Sequence, residues 1–146
     1  MGKVKDVSFQ FDDYDPSAFR VYLSAEIKSF IDDLMKFTDG NFESLSKYRP
    51  NIEGSSFSSN SLRAISKIPA GETRSYKQVA LLAGYPNAYR AIGTACGKNP
   101  LPFIIPCHRV VNSGNKVGNY VMGPRLKRQI LEYESEIKEK DHIAVV

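Results

Sequence analysis

Residues 101–111 read Leu-Pro-Phe-Ile-Ile-Pro-Cys-His-Arg-Val-Val. They constrain the fold more than any other stretch. Five largely apolar residues, Leu101–Ile105, demand burial, and the spacing predicts a buried strand or extended segment that ends abruptly at Pro106. The chain then presents a thiol, an imidazole and a guanidinium in succession at Cys107, His108 and Arg109. A free cysteine is commonly a small buried hydrophobe. The residues around this one give it a chemical role to weigh beside the packing role.

Charge is the second constraint. Residues 55–131 hold eleven Lys/Arg and the single acid Glu72, whereas residues 1–54 and 132–146 are each net −3. A basic middle between acidic ends suits a polyanion-binding face. The 146 residues suit one main domain with a small appended one. No apolar run reaches membrane-spanning length and no signal peptide opens the chain. Two cysteines without paired metal spacing make neither a disulfide framework nor a zinc site. A reducing cytoplasm, no metal and no membrane partner are therefore expected.

Read in order, Val4–Phe11 and Phe19–Leu23 read as short strands around an Asp/Pro turn. Ser24 reads as the N-cap of a helix carrying Ile27, Phe30, Ile31, Leu34 and Phe37, stopped at Asp39-Gly40. The polar residues 41–56 place a junction between a domain at 1–54 and one at 55–146. A helix over about Ser58–Lys67 follows. Ser75-Tyr76-Lys77-Gln78 is a capping box opening the next helix, which stops at Gly84. Asn87 is placed to cap a second helix reaching about Gly97. Two short helices about a glycine-containing turn form the helix-turn-helix pattern. On the second, Ala88, Ala91, Ile92, Ala95 and Cys96 share a face that should be buried, which makes Cys96 structural. Arg90, Gly93, Thr94 and Gly97 form the opposite face. Two glycines within a helix cost about 1 kcal/mol each relative to Ala, so a flat surface there serves close approach of another backbone. Beyond Cys107, Val117–Gly123 reads as a glycine-bracketed loop. Pro124 opens a closing helix to about Lys138, with Leu126, Ile130, Tyr133 and Ile137 inward. Glu134 lies at the edge of that stripe and needs a partner, for which Arg109, Lys127 and His108 are candidates. The expected class is α+β: a small N-terminal strand-strand-helix domain and a mainly helical C-terminal domain with a helix-turn-helix and an active-site cysteine segment.

These residues add up to a resemblance. I-P-C-H-R-V-V, preceded by G-K-N-P-L-P and followed by V-G-N-Y and a helix with Lys127 and Glu134, resembles the O6-alkylguanine-DNA alkyltransferases. Upstream, I-P-A-G-E-T-R-S-Y-K-Q-V-A and A-Y-R-A-I-G-T-A-C-G match the same family in order and spacing. The similarity covers about Phe57 to Glu134. The first 54 residues resemble the family's N-terminal domain only loosely and look shortened.

The resemblance implies direct-reversal DNA repair. A helix-turn-helix docks in the minor groove of double-stranded DNA. A damaged guanine is flipped out, and its O6-alkyl group passes once to a cysteine, here Cys107, with O4-methylthymine as a second substrate. No cofactor is implied, and the protein would act as a monomer. By the same resemblance Glu134 orients His108, a water relays to Cys107, and Tyr76 donates to the leaving oxygen or meets the rotated phosphate. Backbone groups at Val110 and Val121 bind the base edge with Lys127 nearby. Arg90 fills the space of the flipped base beside Gly93 and Thr94, Asn99 is a hinge, and Tyr120 lines the base pocket. The chemistry agrees, because a thiol is mostly protonated and needs a base. Adjacent side chains in an extended segment point apart, so a bridging water or a helical turn must bring His108 to bear. The chain departs from the family at Val121-Met122, where small residues are usual. The Cys107 thiol argues against a non-catalytic alkyltransferase-like sensor. A thiol hydrolase would leave the basic flat helix without a task, and a sequence-reading regulator would find few reading side chains on it.

Overall fold

The computed structural model describes residues 25–144. The expected strands Val4–Phe11 and Phe19–Leu23 and the Ser24 cap lie outside the described residues. Five helices and one two-stranded sheet make up the described part: α1 (Ala25–Thr38), α2 (Phe57–Ile65), β1 (Arg74–Ser75), α3 (Tyr76–Leu82), α4 (Tyr89–Gly97), β2 (Val110–Val111) and α5 (Pro124–Ala144). Two 3-10 turns, Phe42–Leu45 and Cys107–Arg109, complete it. The mixture is α+β, as expected.

Local chemistry sets the boundaries around the site. Ser56 caps α2 by accepting from the Ser59 amide. Ser75 accepts from the Gln78 amide while the Gln78 side chain accepts from the Ser75 amide, so the capping box forms as read. β1 pairs in parallel with β2, Arg74 opposite Val110 and Ser75 opposite Val111. This pairing sets the start of α3, and hence Tyr76, beside the Cys107–Arg109 turn. One core joins these elements. Ile65, Val79, Ile92, Ile105 and Val110 are buried together with Cys96 and Cys107. The nucleophile candidate is thus also a core side chain.

Four readings need correction. Leu101–Ile105 is not a strand. Pro102 and Pro106 remove two backbone donors, and the Ile105 amide instead donates back to the Leu101 carbonyl at 2.9 Å. Phe103 takes a left-handed φ of 71°, its ring held against Phe37 at 6.1 Å and His108 at 6.0 Å. Ile105 is buried but Leu101 is exposed. Second, Asn87 does not cap α4. Ala88 occupies the cap position with no side-chain bond, and its amide closes a turn onto the Tyr85 carbonyl. Third, α1 buries only Phe37 and Asp33, while Ile27 and Ile31 are exposed. Asp33 clamps the following segment by accepting from Lys47 Nζ at 2.5 Å and Tyr48 Oη at 2.8 Å. Hydrogen bonds from Lys47 and Tyr48 hold its carboxyl at about 2. Fourth, the fully buried residues of the described stretch of α5 are Lys127 and Glu134, whereas Leu126, Ile130, Tyr133 and Ile137 are half-buried.

Gly71 ends the connection after α2 at φ 71°, and a Cβ there would lie 2.7 Å from Lys138 Cδ and 3.3 Å from the Glu134 carbonyl. Gly84, at φ 88°, has open space around it. Both positions favour glycine, but only Gly71 adds a steric cost. Gly84→Ala should lower unfolding free energy by about 1 kcal/mol and Gly71→Ala by roughly 2 kcal/mol in denaturant titrations. Equal losses would show that the approach of α5 to Gly71 is not tight.

Candidate active site

After Pro106 the chain turns as a 3-10 helix through Cys107, His108 and Arg109 before entering β2. Of the two solutions open in the sequence, a helical turn is therefore present. It lets three neighbouring side chains serve different places. The Cys107 thiol faces a cleft of about 720 Å³, while His108 and Arg109 turn back toward Glu134 on α5.

Glu134 is fully buried, and its carboxylate is saturated with donors. His108 Nε2 lies 2.8 Å from Oε1. Arg109 donates from Nη2 at 2.8 Å to Oε1 and from Nε at 3.0 Å to Oε2. The Gly71 amide donates to Oε2 at 3.1 Å. Burial pushes the Glu134 carboxyl up, but the hydrogen bonds from His108 and Arg109, together with the Arg109 charge, outweigh it and hold it at about 2. Burial lowers His108, outweighing the opposing pull of Glu134. These directions are compatible because Arg109, not an imidazolium, supplies the positive charge. An ionised carboxylate only accepts, so Nε2 carries the proton and donates it. Nδ1 of the neutral ring then holds the lone pair, and it has no protein hydrogen-bond partner.

Burial raises the Cys107 thiol, against the lowering effects of Asn99 and Lys127, so at rest it is protonated. Asn99 Nδ2 donates to Cys107 Sγ at 3.1 Å and to the Ile105 carbonyl at 2.7 Å, while its Oδ1 accepts from the Leu101 amide at 3.0 Å. One side chain thus ties the end of α4 to the active-site turn. Lys127 is not a partner of Glu134. Its Nζ donates to the Val110 carbonyl at 2.5 Å and the Asn119 carbonyl at 3.2 Å, and burial lowers its pKa.

The cleft brings together seven of the residues singled out from sequence: Cys107, Tyr76, Arg90, Gly93, Thr94, Tyr120 and Val121. His108, Glu134, Asn99, Lys127 and Val110 stand behind it, buried. Burial pushes the Tyr76 hydroxyl up to about 12, so it remains a donor. Three contributors escaped the sequence reading. Gly71 is recognisable only as a helix terminator. Gly118 is recognisable only as part of a loop, although a Cβ there would lie 3.1 Å from Tyr76 Oη and 3.2 Å from Asn112 Nδ2. Cys96 was expected on the buried face of α4. It is buried, with its thiol pushed by burial up to about 12, yet it also lines the cleft. No residue pattern distinguishes these roles, because each depends on what another segment brings close. No group of His, Cys, Asp and Glu suited to a metal ion occurs among the described residues.

Residues 56–136 match the family model described as 6-O-methylguanine DNA methyltransferase, DNA binding domain. The chain belongs to this family. A methylated-DNA–protein-cysteine methyltransferase of Methanosarcina barkeri is 45% identical over 82 residues, 56% of this chain and 52% of that relative. A probable methylated-DNA–protein-cysteine methyltransferase of Acanthamoeba polyphaga mimivirus is 36% identical over 110 residues, 75% of this chain and 73% of that relative. The chain therefore spans about half the length of the archaeal relative and about three quarters of the viral one. Among solved structures, a variant of the Mycobacterium tuberculosis O6-methylguanine methyltransferase aligns with a TM-score of 0.65 at 34% identity, covering 86% of this chain and 76% of that one. The Mycobacterium tuberculosis OGT in complex with DNA aligns at 0.55 and 42% identity, covering 58% of this chain and 52% of that one.

The buried triad has a pH signature. Glu134 sits below its ordinary 4.5 in the folded state, so the stability it contributes is present above about pH 4.5 and is lost as pH falls toward 2. His108 sits below its ordinary 6.5, so it too favours unfolding as pH drops below that value. Unfolding free energy measured against pH should fall from about pH 6.5 downward. Glu134→Gln strands the Arg109 charge, so it should cost about 3–5 kcal/mol at pH 7 and flatten the limb below pH 4.5.

Proposed function

We propose that this protein repairs O6-alkylguanine in double-stranded DNA by moving the alkyl group onto Cys107, once per molecule. The observation that carries the reading is a nearly buried thiol on a cleft whose walls include the glycine-bearing face of α4 and Arg90. Arg90 is exposed, its guanidinium 5.8 Å from the Tyr89 ring centre. The outer face of α4 suits the minor groove. Arg90 would take the space of a guanine rotated out of the stack, and Gly93 and Thr94 would let the backbone come close. The same chemistry admits O4-methylthymine.

In the reaction, His108 Nδ1 takes the Cys107 proton through a water, leaving a thiolate and an imidazolium that Glu134 stabilises. The sulfur attacks the methyl carbon. The S–C bond forms, the C–O6 bond breaks, and its electron pair goes to the guanine oxygen. Tyr76 donates a hydrogen bond to that oxygen, and the proton held by the His108 imidazolium returns to the purine, which completes guanine and restores the neutral imidazole. Tyr120 and the backbone at Val110 and Val121 shape the base pocket, with Lys127 fixing the Val110 and Asn119 carbonyls. Asn99 serves as the hinge between α4 and the active-site turn. No cofactor enters this balance. The domain division at residue 54, monomeric action and a reducing cytoplasm that keeps both free cysteines reduced belong to the same reading. No helix of the described residues is long and apolar enough to cross a membrane.

Intact-protein mass measurement after mixing with a duplex holding one O6-methylguanine should show one added methyl on the Cys107 peptide, saturating at one per molecule. Cys107→Ser should abolish the transfer. Catalytic turnover without DNA would instead indicate a thiol hydrolase. Val121, 53% exposed on the cleft wall, and Met122, 42% exposed beside it, stand where smaller residues are usual in the family. Benzyl transfer should therefore be slower than methyl transfer, and equal rates would count against that crowding.

A further inference from the structure

Arg109 has no part in the transfer just described, although it belongs to the same turn as the thiol and the base. It does not line the cleft. Arg109 is 8% exposed, and its guanidinium points inward. Nε and Nη2 grip Glu134, and Nη1 donates to the Ile68 carbonyl at 2.7 Å. Each of its three nitrogens donates, and together they fix one carboxylate against one loop. The same carboxylate oxygen, Oε1, receives both Arg109 Nη2 and His108 Nε2 at 2.8 Å.

Sharing that oxygen has an electrostatic consequence. In a buried site, a lone carboxylate beside an imidazole favours the imidazolium, because an opposite charge within hydrogen-bond reach stabilises the charged form. A carboxylate already matched by a guanidinium gives less inducement, and a second cation on it would be surplus. The other groups facing the imidazole do not change this sign. Lys127 from α5 is cationic and opposes protonation, while Tyr120 and Phe103 are uncharged. Glu72, the nearby acid on the connecting loop, is engaged by Arg74 at 2.9 Å and Lys138 at 3.6 Å.

We infer that Arg109 is a positioning residue that holds Glu134 and its charge, so that His108 rests as a neutral base with its proton on Nε2 and its lone pair on Nδ1. The kinetic consequence rests on the alkyl-transfer reading; the protonation state does not. A base that is already protonated cannot accept the thiol proton, so losing Arg109 should slow transfer at neutral pH and leave it recoverable at alkaline pH.

The test uses nitrogen-15 NMR of the imidazoles in the full chain, which has only two histidines, His108 and His142. In the wild type, His108 should remain neutral, protonated on Nε2, to well below pH 6.5. In Arg109→Met it should titrate higher by about a unit or more. Arg109→Gln, which keeps a donor without the charge, carries the test if the Met variant does not fold. Arg109→Lys, which keeps the charge, should move His108 back toward the neutral form. So should Arg109→Met combined with Glu134→Gln, which strands no charge. Single-turnover methyl transfer followed against pH should show the rising limb of Arg109→Met displaced to alkaline pH. Its rate should fall about tenfold for each pH unit below the displaced His108 titration and recover above it. A merely structural role would lower melting temperature and depress the rate equally at all pH. That result, or an unchanged His108 titration, overturns the inference. If His108 responds as stated while the wild type transfers no methyl, the role of Arg109 stands and the alkyl-transfer reading falls.

Discussion

A carboxylate without water must have its hydration replaced by donors, or burial drives it neutral. Glu134 has four N–H groups in place of water, from His108, Arg109 twice, and Gly71. Those groups come from the active-site turn and from the loop after α2, so one side chain on α5 joins three parts of the chain. Lys127 does the same about two turns earlier, on the Val110 and Asn119 carbonyls. Seven residues separate the two, close to two helical turns, which sets both on the same side of α5. The described part of the helix is therefore anchored by two fully buried charged residues, with the half-buried apolar residues beside them. Removing either partner of such an arrangement leaves a charge stranded, which binds position tightly to function.

Some of this was legible in the sequence and some was not, for identifiable reasons. The Ser75–Gln78 capping box is local chemistry, and it forms where the residues stand. The buried face of α4 follows from 3.6-residue periodicity, which needs no knowledge of the partner. The need of Glu134 for a partner could be read, and two of its three candidates are correct. Lys127 goes elsewhere: its amine donates to the Val110 and Asn119 carbonyls. The Leu101–Ile105 segment was misread because an apolar run does not distinguish strand from buried turn, and the two prolines decide it by removing donors. Asn87 was misread because Pro86 and the Tyr85–Ala88 turn set the helix start one residue later.

The charge pattern gains meaning from where the acids end up. Glu72, the lone acid of residues 55–131, is engaged with Arg74 and Lys138 rather than with the cleft. Glu134 is buried among its donors. Neither carboxylate lines the cleft around Arg90, and the acids placed on it by neighbouring elements are none among the described residues. A polyanion approaching that side meets cations and amides without a repelling charge.

The resting state of the thiol follows from the same placement. Cys107 sits in the apolar core, so burial keeps its proton on, and a protonated thiol is a poor nucleophile and a poor target for oxidants. Burial and the Arg109 charge both lower His108, so they oppose a second cation there for a parallel reason. In the proposed alkyl transfer, moving one proton from sulfur to imidazole would reverse both conditions together. The sulfur becomes a thiolate beside the Asn99 amide donor, and the imidazole becomes a cation on Glu134. Each charge thus appears next to a group already oriented to receive it. Such an arrangement lowers the cost of the charged state without favouring it before a substrate fills the cleft.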